Sequence, residues 1–121
     1  MRLFVYGTLM PGEERWPVLA PFATRWARAA AGGRLWDSGQ GYPVARFEPA
    51  AGPRIPGYLV TLDEGRRSQA LALLDRIEEV EVLYRRVEVA TSGGPAWAYE
   101  WLGPTDGLQE LHGGWAAGGQ S

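Results

Sequence analysis

Residues 2–9 read Arg-Leu-Phe-Val-Tyr-Gly-Thr-Leu, and the fold prediction begins with them. Residues 2–6 alternate in charge and bulk, which predicts a short buried strand that Gly7 ends in a turn. At such a turn, successive backbone N–H groups can face one side and bind a carboxylate. The same residues also suit an ordinary turn, so this stretch alone leaves both interpretations open.

The rest of the chain alternates short extended segments with turn residues. Gly32-Gly33 predicts a bulge or turn inside one extended region, and Pro43 suits an edge strand or the first position of a strand. Ser92-Gly93-Gly94-Pro95 predicts a hairpin. Many short strands with few helices predict an α+β fold, a small barrel of mixed strands with one or two flanking helices. The predicted extended segments are residues 2–6, 24–31, 33–36, 42–47, 55–62, 87–89 and 96–99.

Two helices are predicted beside these strands. A short one covers residues 13–19, between Pro11 and Pro21. A longer one covers residues 66–77, and Asp63 can cap a helical start at Glu64. Its apolar residues follow helical spacing and form one stripe: Ala70, Leu71, Leu73, Leu74 and Ile77.

Glu78 lies at the margin of this stripe, whereas Glu79 points away from it. The negative end of the helix dipole and partial burial would both raise the pKa of Glu78, which suits a general base near neutral pH. The structural alternative is a solvated residue at a helix end. Glu81 is a second candidate if the helix stops early, and Glu79 a third if the helix unwinds sooner.

The composition excludes several kinds of chemistry. The chain has no cysteine, so it cannot form disulfides, thiolate nucleophiles or cysteine metal sites. All 12 basic side chains are arginine, which excludes lysine chemistry, and their scatter at a net charge of −2 gives nucleic-acid binding little support. His112 is the single histidine, and we expect no metal site.

The expected location and domain organisation follow from apolar length and glycine content. No apolar stretch approaches the ~20 residues of a membrane span, and the apolar start is too short for a signal sequence. We therefore expect a cytoplasmic protein without membrane association. Residues 1–102 are predicted to form one domain, followed by a Gly-rich tail, 103–121, that we expect to be poorly ordered.

The stretch Phe-Val-Tyr-Gly-Thr-Leu at residues 4–9 resembles the opening signature of the γ-glutamylcyclotransferase-like superfamily. The resemblance covers residues 2 to 101, and the same fold is expected from it. The later segments that resemble the family occur in its order: Gly33-Arg34-Leu35-Trp36, Gly41-Tyr42-Pro43, Pro56-Gly57-Tyr58-Leu59-Val60, Leu74-Asp75-Arg76-Ile77-Glu78, Tyr84-Arg85-Arg86 and Ala96-Trp97-Ala98-Tyr99.

The resemblance implies a catalytic role for Glu78, which matches the family's catalytic acid/base. Glu79 stands where the family usually has glycine. The implied reaction is attack of the α-amine of a γ-glutamyl amine or peptide on its own γ-carbonyl, releasing 5-oxoproline and an amine without a cofactor. The alternatives are a binding module for small carboxylates without turnover, and a lyase or transferase acting on a γ-glutamylated biosynthetic intermediate.

The resemblance also implies which residues hold the substrate. The opening loop, Tyr6 to Leu9, would hold the α-amino-acid end through the N–H groups of Gly7, Thr8 and Leu9. Beside this resemblance, the proposed mechanism itself leads us to expect Tyr6 and Tyr42 in the pocket wall. Tyr84 or Tyr99 would either donate a hydrogen bond to Glu78 or to the γ-carbonyl, or bond its hydroxyl to the backbone, as buried tyrosines more often do. The expected partner is a small γ-glutamyl substrate, and the chain is expected to be a monomer or a weak homodimer.

Overall fold

The strands and helices are formed by the segments in which the sequence alternates or repeats its apolar residues. The computed structural model describes residues 1–78 and 83–115. Short 3₁₀ turns occur at Ala20–Phe22, Pro49–Ala51 and Glu64–Arg66. In the described residues the elements are β1 (Arg2–Val5), α1 (Trp16–Leu19), β2 (Ala23–Asp37), β3 (Pro43–Phe47), β4 (Pro53–Leu62), α2 (Arg67–Ile77), β5 (Tyr84–Thr91), β6 (Gly94–Trp101) and β7 (Gln109–Leu111).

Five of these strands close into a barrel. Strand β4 lies between β2 and β1 and is antiparallel to both, β1 is parallel to β6, and β6 pairs with β5 as an antiparallel hairpin. Pairing of Ala31 in β2 with Thr91 in β5 closes the ring. The predicted α+β fold, a mixed barrel with flanking helices, is confirmed.

Strand β2 is one continuous strand where the sequence predicts two extended pieces. Its register with β4 shifts between Ala31 and Gly32, which is the predicted bulge. Gly33 has φ +146°, and a Cβ there would lie 2.1 Å from the backbone oxygen of Arg46. Because Gly33 permits this close approach, β2 can pair with β4 along its first part and with β3 along its second.

Strand β1 divides the core into two apolar clusters. Leu3 and Val5 pack on one side with Leu74 of α2, whereas Phe4 and Tyr6 pack on the other with Leu35. This division is the two-residue alternation of a strand with both faces buried. The alternation places α2 against the Leu3 and Val5 face.

Helix α2 begins and ends close to the predicted positions. The Asp63 carboxylate accepts a hydrogen bond from the Gly65 N–H at 3.0 Å and caps a 3₁₀ turn that leads into α2. The helix ends at Ile77, and the Glu78 N–H still donates to the Leu74 carbonyl at 2.9 Å. In the part of the chain described here, no helix is long and apolar enough to cross a membrane.

Part of the C-terminal segment forms a strand that the sequence analysis does not predict. In β7, Leu111 pairs with Leu35 and Gln109 with Asp37 of β2, and the Glu110 carboxylate binds Arg34 at 2.6 Å. The expectation of a poorly ordered tail is therefore wrong for Gln109–Leu111, because the exposed edge of β2 supplies backbone partners that a search for apolar anchors misses. The domain division at residue 102 stays a prediction.

Candidate active site

A pocket of about 130 Å³ lies where β1 ends. The ends of four other elements meet there: the start of β3, the start of β5, the end of β6 and the end of α2. Its lining includes the predicted base and all of the predicted substrate-binding residues: Tyr6, Gly7, Thr8, Leu9, Tyr42, Glu78, Tyr84 and Tyr99. It is also lined by Phe4, Val5, Arg15, Pro43, Ile77 and Leu83.

The loop after β1 presents backbone amides that have no protein acceptor in residues 1–78 and 83–115. The Gly7 carbonyl accepts from the Met10 N–H at 3.0 Å, and the Thr8 carbonyl accepts from the Arg15 N–H at 2.8 Å. These bonds satisfy the carbonyls, while the N–H groups of Gly7, Thr8 and Leu9 donate to no group in the described chain. Neighbouring amides of this kind suit a carboxylate ligand.

Gly7 is required by the close approach of Pro43. A Cβ on residue 7 would lie 2.7 Å from Cγ and 2.8 Å from Cδ of the proline ring. Pro43 is the first residue of β3, as predicted, so this contact holds the loop after β1 against the start of a second strand. Any larger residue at position 7 would push the loop after β1 away from the start of β3.

Glu78 is the half-buried residue that follows α2. Burial raises the pKa of its carboxyl to about 7, and the Arg15 guanidinium opposes part of that rise. Within the described residues, the side-chain hydrogen bonds and ion pairs of nearby carboxylates involve Asp75 and Glu100, and none involves the Glu78 carboxylate. The pKa shift has the direction expected from the sequence, with desolvation as its main cause.

Three buried tyrosines form the wall of the pocket, and their hydroxyl groups are bound elsewhere. Tyr6 donates to the backbone carbonyl of Tyr99, and Tyr84 donates to the carbonyl of Pro43 at 3.1 Å. Tyr99 donates to the Asp75 carboxylate at 2.8 Å. Burial raises the pKa of all three, so they stay protonated donors. The expected bond from Tyr84 or Tyr99 to Glu78 is not formed, because each hydroxyl proton already has an acceptor.

Tyr42 stands apart from the buried tyrosines. It is half-buried, lines the pocket just before β3, and its hydroxyl donates to the Gln40 side chain at 3.2 Å. The loop that carries it is held by the Ser38 hydroxyl, which donates to the Tyr42 carbonyl at 2.6 Å. Tyr42 is therefore part of the pocket lining, and its role in substrate binding stays a prediction.

Two charged residues in or beside this site, Arg15 and Asp75, are not predicted from the sequence. Arg15 lines the pocket although it lies eight residues after Gly7, because the loop folds back and its N–H bonds to the Thr8 carbonyl. Asp75 binds Arg86 at 3.1 Å as well as the Tyr99 hydroxyl. Asp75 lies one helical turn before Glu78, and this spacing, which places both on one side of the helix, could have predicted Asp75 near the site.

The sequence comparison shows the family to which this chain belongs. Residues 3–117 match the model of the gamma-glutamyl cyclotransferase, AIG2-like family. The chain is therefore a member of this family, and the resemblance of residues 4–9 is confirmed. Among curated proteins, no sequence matches this chain significantly.

Solved structures show the same fold at low sequence identity. An AIG2-like protein of Mus musculus has TM-score 0.74 and 22% identity, over 95% of this chain and 87% of that one. An uncharacterised protein of Pyrococcus horikoshii has TM-score 0.64 and 24% identity, over 93% and 86%. The protein ytfP of Escherichia coli has TM-score 0.58 and 28% identity, over 93% and 92%.

Proposed function

We propose that this protein is a γ-glutamyl cyclotransferase that converts a γ-glutamyl amine or peptide into 5-oxoproline and a free amine. The observation that carries the proposal is the meeting, in one pocket, of the half-buried Glu78 carboxyl and the amides of Gly7, Thr8 and Leu9. Family membership supports a cyclotransferase-type protein, and these residues suit the chemistry of ring closure.

Substrate binding in this proposal begins with the α-carboxylate. The N–H groups of Gly7, Thr8 and Leu9 would bind it, and the tyrosine wall would enclose the carbon chain. Held in this way, the α-amine and the γ-carbonyl of one molecule lie close together. An intramolecular reaction gains most of its rate advantage when its two reacting groups are held in the geometry of attack.

Glu78 would move the proton in both halves of the reaction. Its carboxylate removes a proton from the α-ammonium group, and the neutral amine then attacks the γ-carbonyl carbon to form the ring C–N bond. The carboxylic acid next gives that proton to the departing nitrogen as the original amide C–N bond breaks. The regenerated carboxylate takes the second proton from the ring nitrogen, which becomes the lactam N–H, and that proton passes to the released amine. No water is consumed, and both protons lost by the α-ammonium group end on the leaving amine, which departs as an ammonium ion. A carboxyl with a pKa of about 7 is suited to both steps.

The test is incubation of the purified protein with γ-glutamyl-amino acids, γ-glutamyl-alkylamines and γ-glutamyl-ε-lysine, followed by chromatography for 5-oxoproline. We expect product from at least one of them, and a loss of about 10²-fold or more in Glu78→Gln. Glu14→Gln is the matched control, since Glu14 is exposed and outside the pocket. A folded wild-type protein that forms no 5-oxoproline from any substrate would refute the proposal.

The same assay decides among the glutamates. Glu79 and Glu81, the other candidates, lie outside the described residues. If Glu79→Gln or Glu81→Gln removed activity while Glu78→Gln kept it, the base would be reassigned. Saturable substrate binding without product, unchanged by Glu78→Gln, would indicate a binding module instead.

The remaining expectations concern location and assembly. We propose a cytoplasmic protein that acts as a monomer or weak homodimer on a small γ-glutamyl substrate. Light scattering at two protein concentrations measures the oligomeric state. A stable higher oligomer would contradict this part of the proposal.

A further inference from the structure

Arg15 places a positive charge in the pocket and is held there by its backbone. Its N–H donates to the Thr8 carbonyl at 2.8 Å, and its carbonyl accepts from the Val18 N–H at 3.0 Å. The residue is half-buried. Both backbone bonds fix the backbone of Arg15 beside the amide loop, and its side chain extends from there as part of the pocket lining.

Arg15 and Glu78 are the charged side chains among the lining residues that the structure describes. Burial raises the pKa of both Glu78 and Tyr84, and the positive charge of the guanidinium opposes part of each rise. In residues 1–78 and 83–115 no carboxylate lies within 4.0 Å of the Arg15 side-chain nitrogens. The ion pairs that do form in that part of the chain involve residues outside the pocket lining.

The pocket thus has two kinds of anion-binding group, the amides of residues 7–9 and the Arg15 fork. A planar guanidinium binds a carboxylate with two parallel hydrogen bonds. A γ-glutamyl-α-amino acid carries two carboxylates, one on the glutamyl part and one on the leaving amino acid. A γ-glutamyl-alkylamine carries the glutamyl carboxylate alone.

On the basis of the proposed function, we propose that Arg15 binds the carboxylate of the leaving amino acid, so that the substrates are γ-glutamyl-α-amino acids in preference to γ-glutamyl-alkylamines. The amides of residues 7–9 take the glutamyl carboxylate, which is attached to the same carbon as the attacking amine. Glu78 must reach both that amine and the departing nitrogen. The guanidinium, which acts on Glu78 from the pocket wall, then faces the second carboxylate.

Two substrates that differ by one carboxylate test this assignment. Ethylamine is alanine without its carboxylate, so γ-glutamylalanine and γ-glutamylethylamine form a matched pair. We expect wild-type kcat/KM to favour γ-glutamylalanine by about 10-fold or more, the effect of one charge-assisted hydrogen-bonded pair. In Arg15→Gln this ratio should fall towards one, and in Arg15→Lys, which keeps the charge without the fork, it should be intermediate.

The ratio isolates the carboxylate, because a changed Glu78 pKa affects both substrates alike. Arg25→Gln is the matched control, since Arg25 is exposed on β2 and outside the pocket. Thermal melting establishes that each variant is folded. An equal loss for both substrates would place Arg15 on the glutamyl part, and a ratio unchanged by Arg15→Gln would exclude contact with the leaving group. Either result overturns the inference.

Failure of the proposed function gives a different result. If the folded wild type forms 5-oxoproline from neither compound nor from any other γ-glutamyl substrate tested above, the cyclotransferase proposal fails, and calorimetric binding of the same pair still tests Arg15. Tighter binding of γ-glutamylalanine, lost in Arg15→Gln, would support the carboxylate contact. Equal binding of the two compounds by the wild type would overturn it.

Discussion

Glu78 is a carboxyl group whose position, at the end of α2 and half-buried, makes its charged form costly. Burial raises its pKa, and Arg15 returns part of the lost stabilisation. A carboxyl that gains a proton so easily in the folded state is a poor contributor to stability at neutral pH. A carboxyl group with a pKa shifted in this way by burial is typical of a functional site.

The first prediction concerns stability against pH. The folded pKa of Glu78, about 7, lies above the ordinary value of 4.5 that the unfolded chain has. The folded state therefore binds the proton more tightly, and stability falls as pH rises from about 4.5 to about 7, then stays level. Glu78→Gln should be more stable than wild type above pH 7 by on the order of 3 kcal/mol, with the difference vanishing near pH 4.

Urea unfolding at several pH values measures this difference. Glu14→Gln should follow the wild-type curve, because that side chain is exposed. A Glu78→Gln variant with the same stability difference at every pH would show that the carboxyl does not titrate in this range.

At the scale of elements, the site depends on contacts between chain segments that end near one another. The loop after β1 contacts the start of β3 through Gly7 and Pro43, and Tyr84 of β5 donates to the Pro43 carbonyl. Asp75 of α2 binds Tyr99 of β6. The pocket therefore depends on side chains and backbone groups that join α2 and four strands.

The second prediction is that Gly7→Ala disturbs both the loop and β3. The new methyl group would lie 2.7 Å from the Pro43 ring, which is below contact distance and must displace one of the segments. Overpacking of this kind costs about 1–3 kcal/mol in the free energy of unfolding. Gly39→Ala is a poor control because Gly39 has φ +79°, whereas Gly113→Ala meets no atom within 4 Å and suits the comparison.

Chemical denaturation gives the stability change, and the 5-oxoproline assay gives the activity. We expect Gly7→Ala to lose activity beyond its loss of stability, since the amides move with the loop. Full activity in Gly7→Ala would show that the amides of residues 7–9 do not position the substrate.

The third prediction concerns the bond from Tyr99 to Asp75. Each of Tyr99→Phe and Asp75→Ala removes this bond and should cost about 1 kcal/mol of stability. Because both remove the same interaction, the double variant should be less destabilised than the sum of the two. Asp75→Ala also frees Arg86, so its effect should be the larger.

A double-mutant cycle by urea denaturation measures the coupling. Tyr58→Phe is the control, because in the described residues the Tyr58 hydroxyl has no hydrogen-bond partner. Additive effects of Tyr99→Phe and Asp75→Ala would mean that the bond contributes nothing to stability. In that case Asp75 would not position Tyr99 in the pocket wall.

At the scale of the whole molecule, closure of the barrel and its extension by β3 and β7 unite distant parts of the chain. The closure rests on Ala31 and Thr91, supported by the Ser92 hydroxyl, which accepts from the Ala30 N–H at 3.0 Å. Strand β7 brings residues after the predicted domain boundary onto β2. The barrel therefore does not account for all of the packed chain.

The fourth prediction is that removal of residues 108–121 destabilises the protein. Leu108, Leu111 and Trp115 are partly buried against the two core clusters, and Glu110 pairs with Arg34. Loss of these contacts should lower the free energy of unfolding by about 2–4 kcal/mol, given the value of partly buried apolar side chains. Removal of residues 116–121 alone is the matched control and should have little effect.

Thermal and urea unfolding of the two shortened chains decide the matter. Equal stability of the full chain and the chain ending at residue 107 would support a domain that is complete by residue 102. A large loss in both shortened chains would assign the stabilising contacts to the last six residues.

The spacing of apolar residues and the positions of turn residues predict the local strands and helices, because both signals depend on residues close together in the sequence. The alternation of residues 2–6 predicts β1, and the apolar stripe before Glu78 predicts α2 and the side of the helix on which Glu78 lies. Arg15 was missed because its place in the pocket results from a loop that folds back onto Thr8. The spacing of residues in the sequence does not predict that this loop folds back onto Thr8.

The sequence by itself determined the central residues of β1 to β6, the helix end before Glu78, the glycine turn after β1 and the family resemblance that joins them. The tertiary structure alone decided the acceptors of the three buried tyrosines, the presence of Arg15 and the extra strand β7. Local patterns depend on neighbours along the chain. Burial of a charge and the partner of a hydroxyl depend on segments many residues away, which meet when the barrel closes.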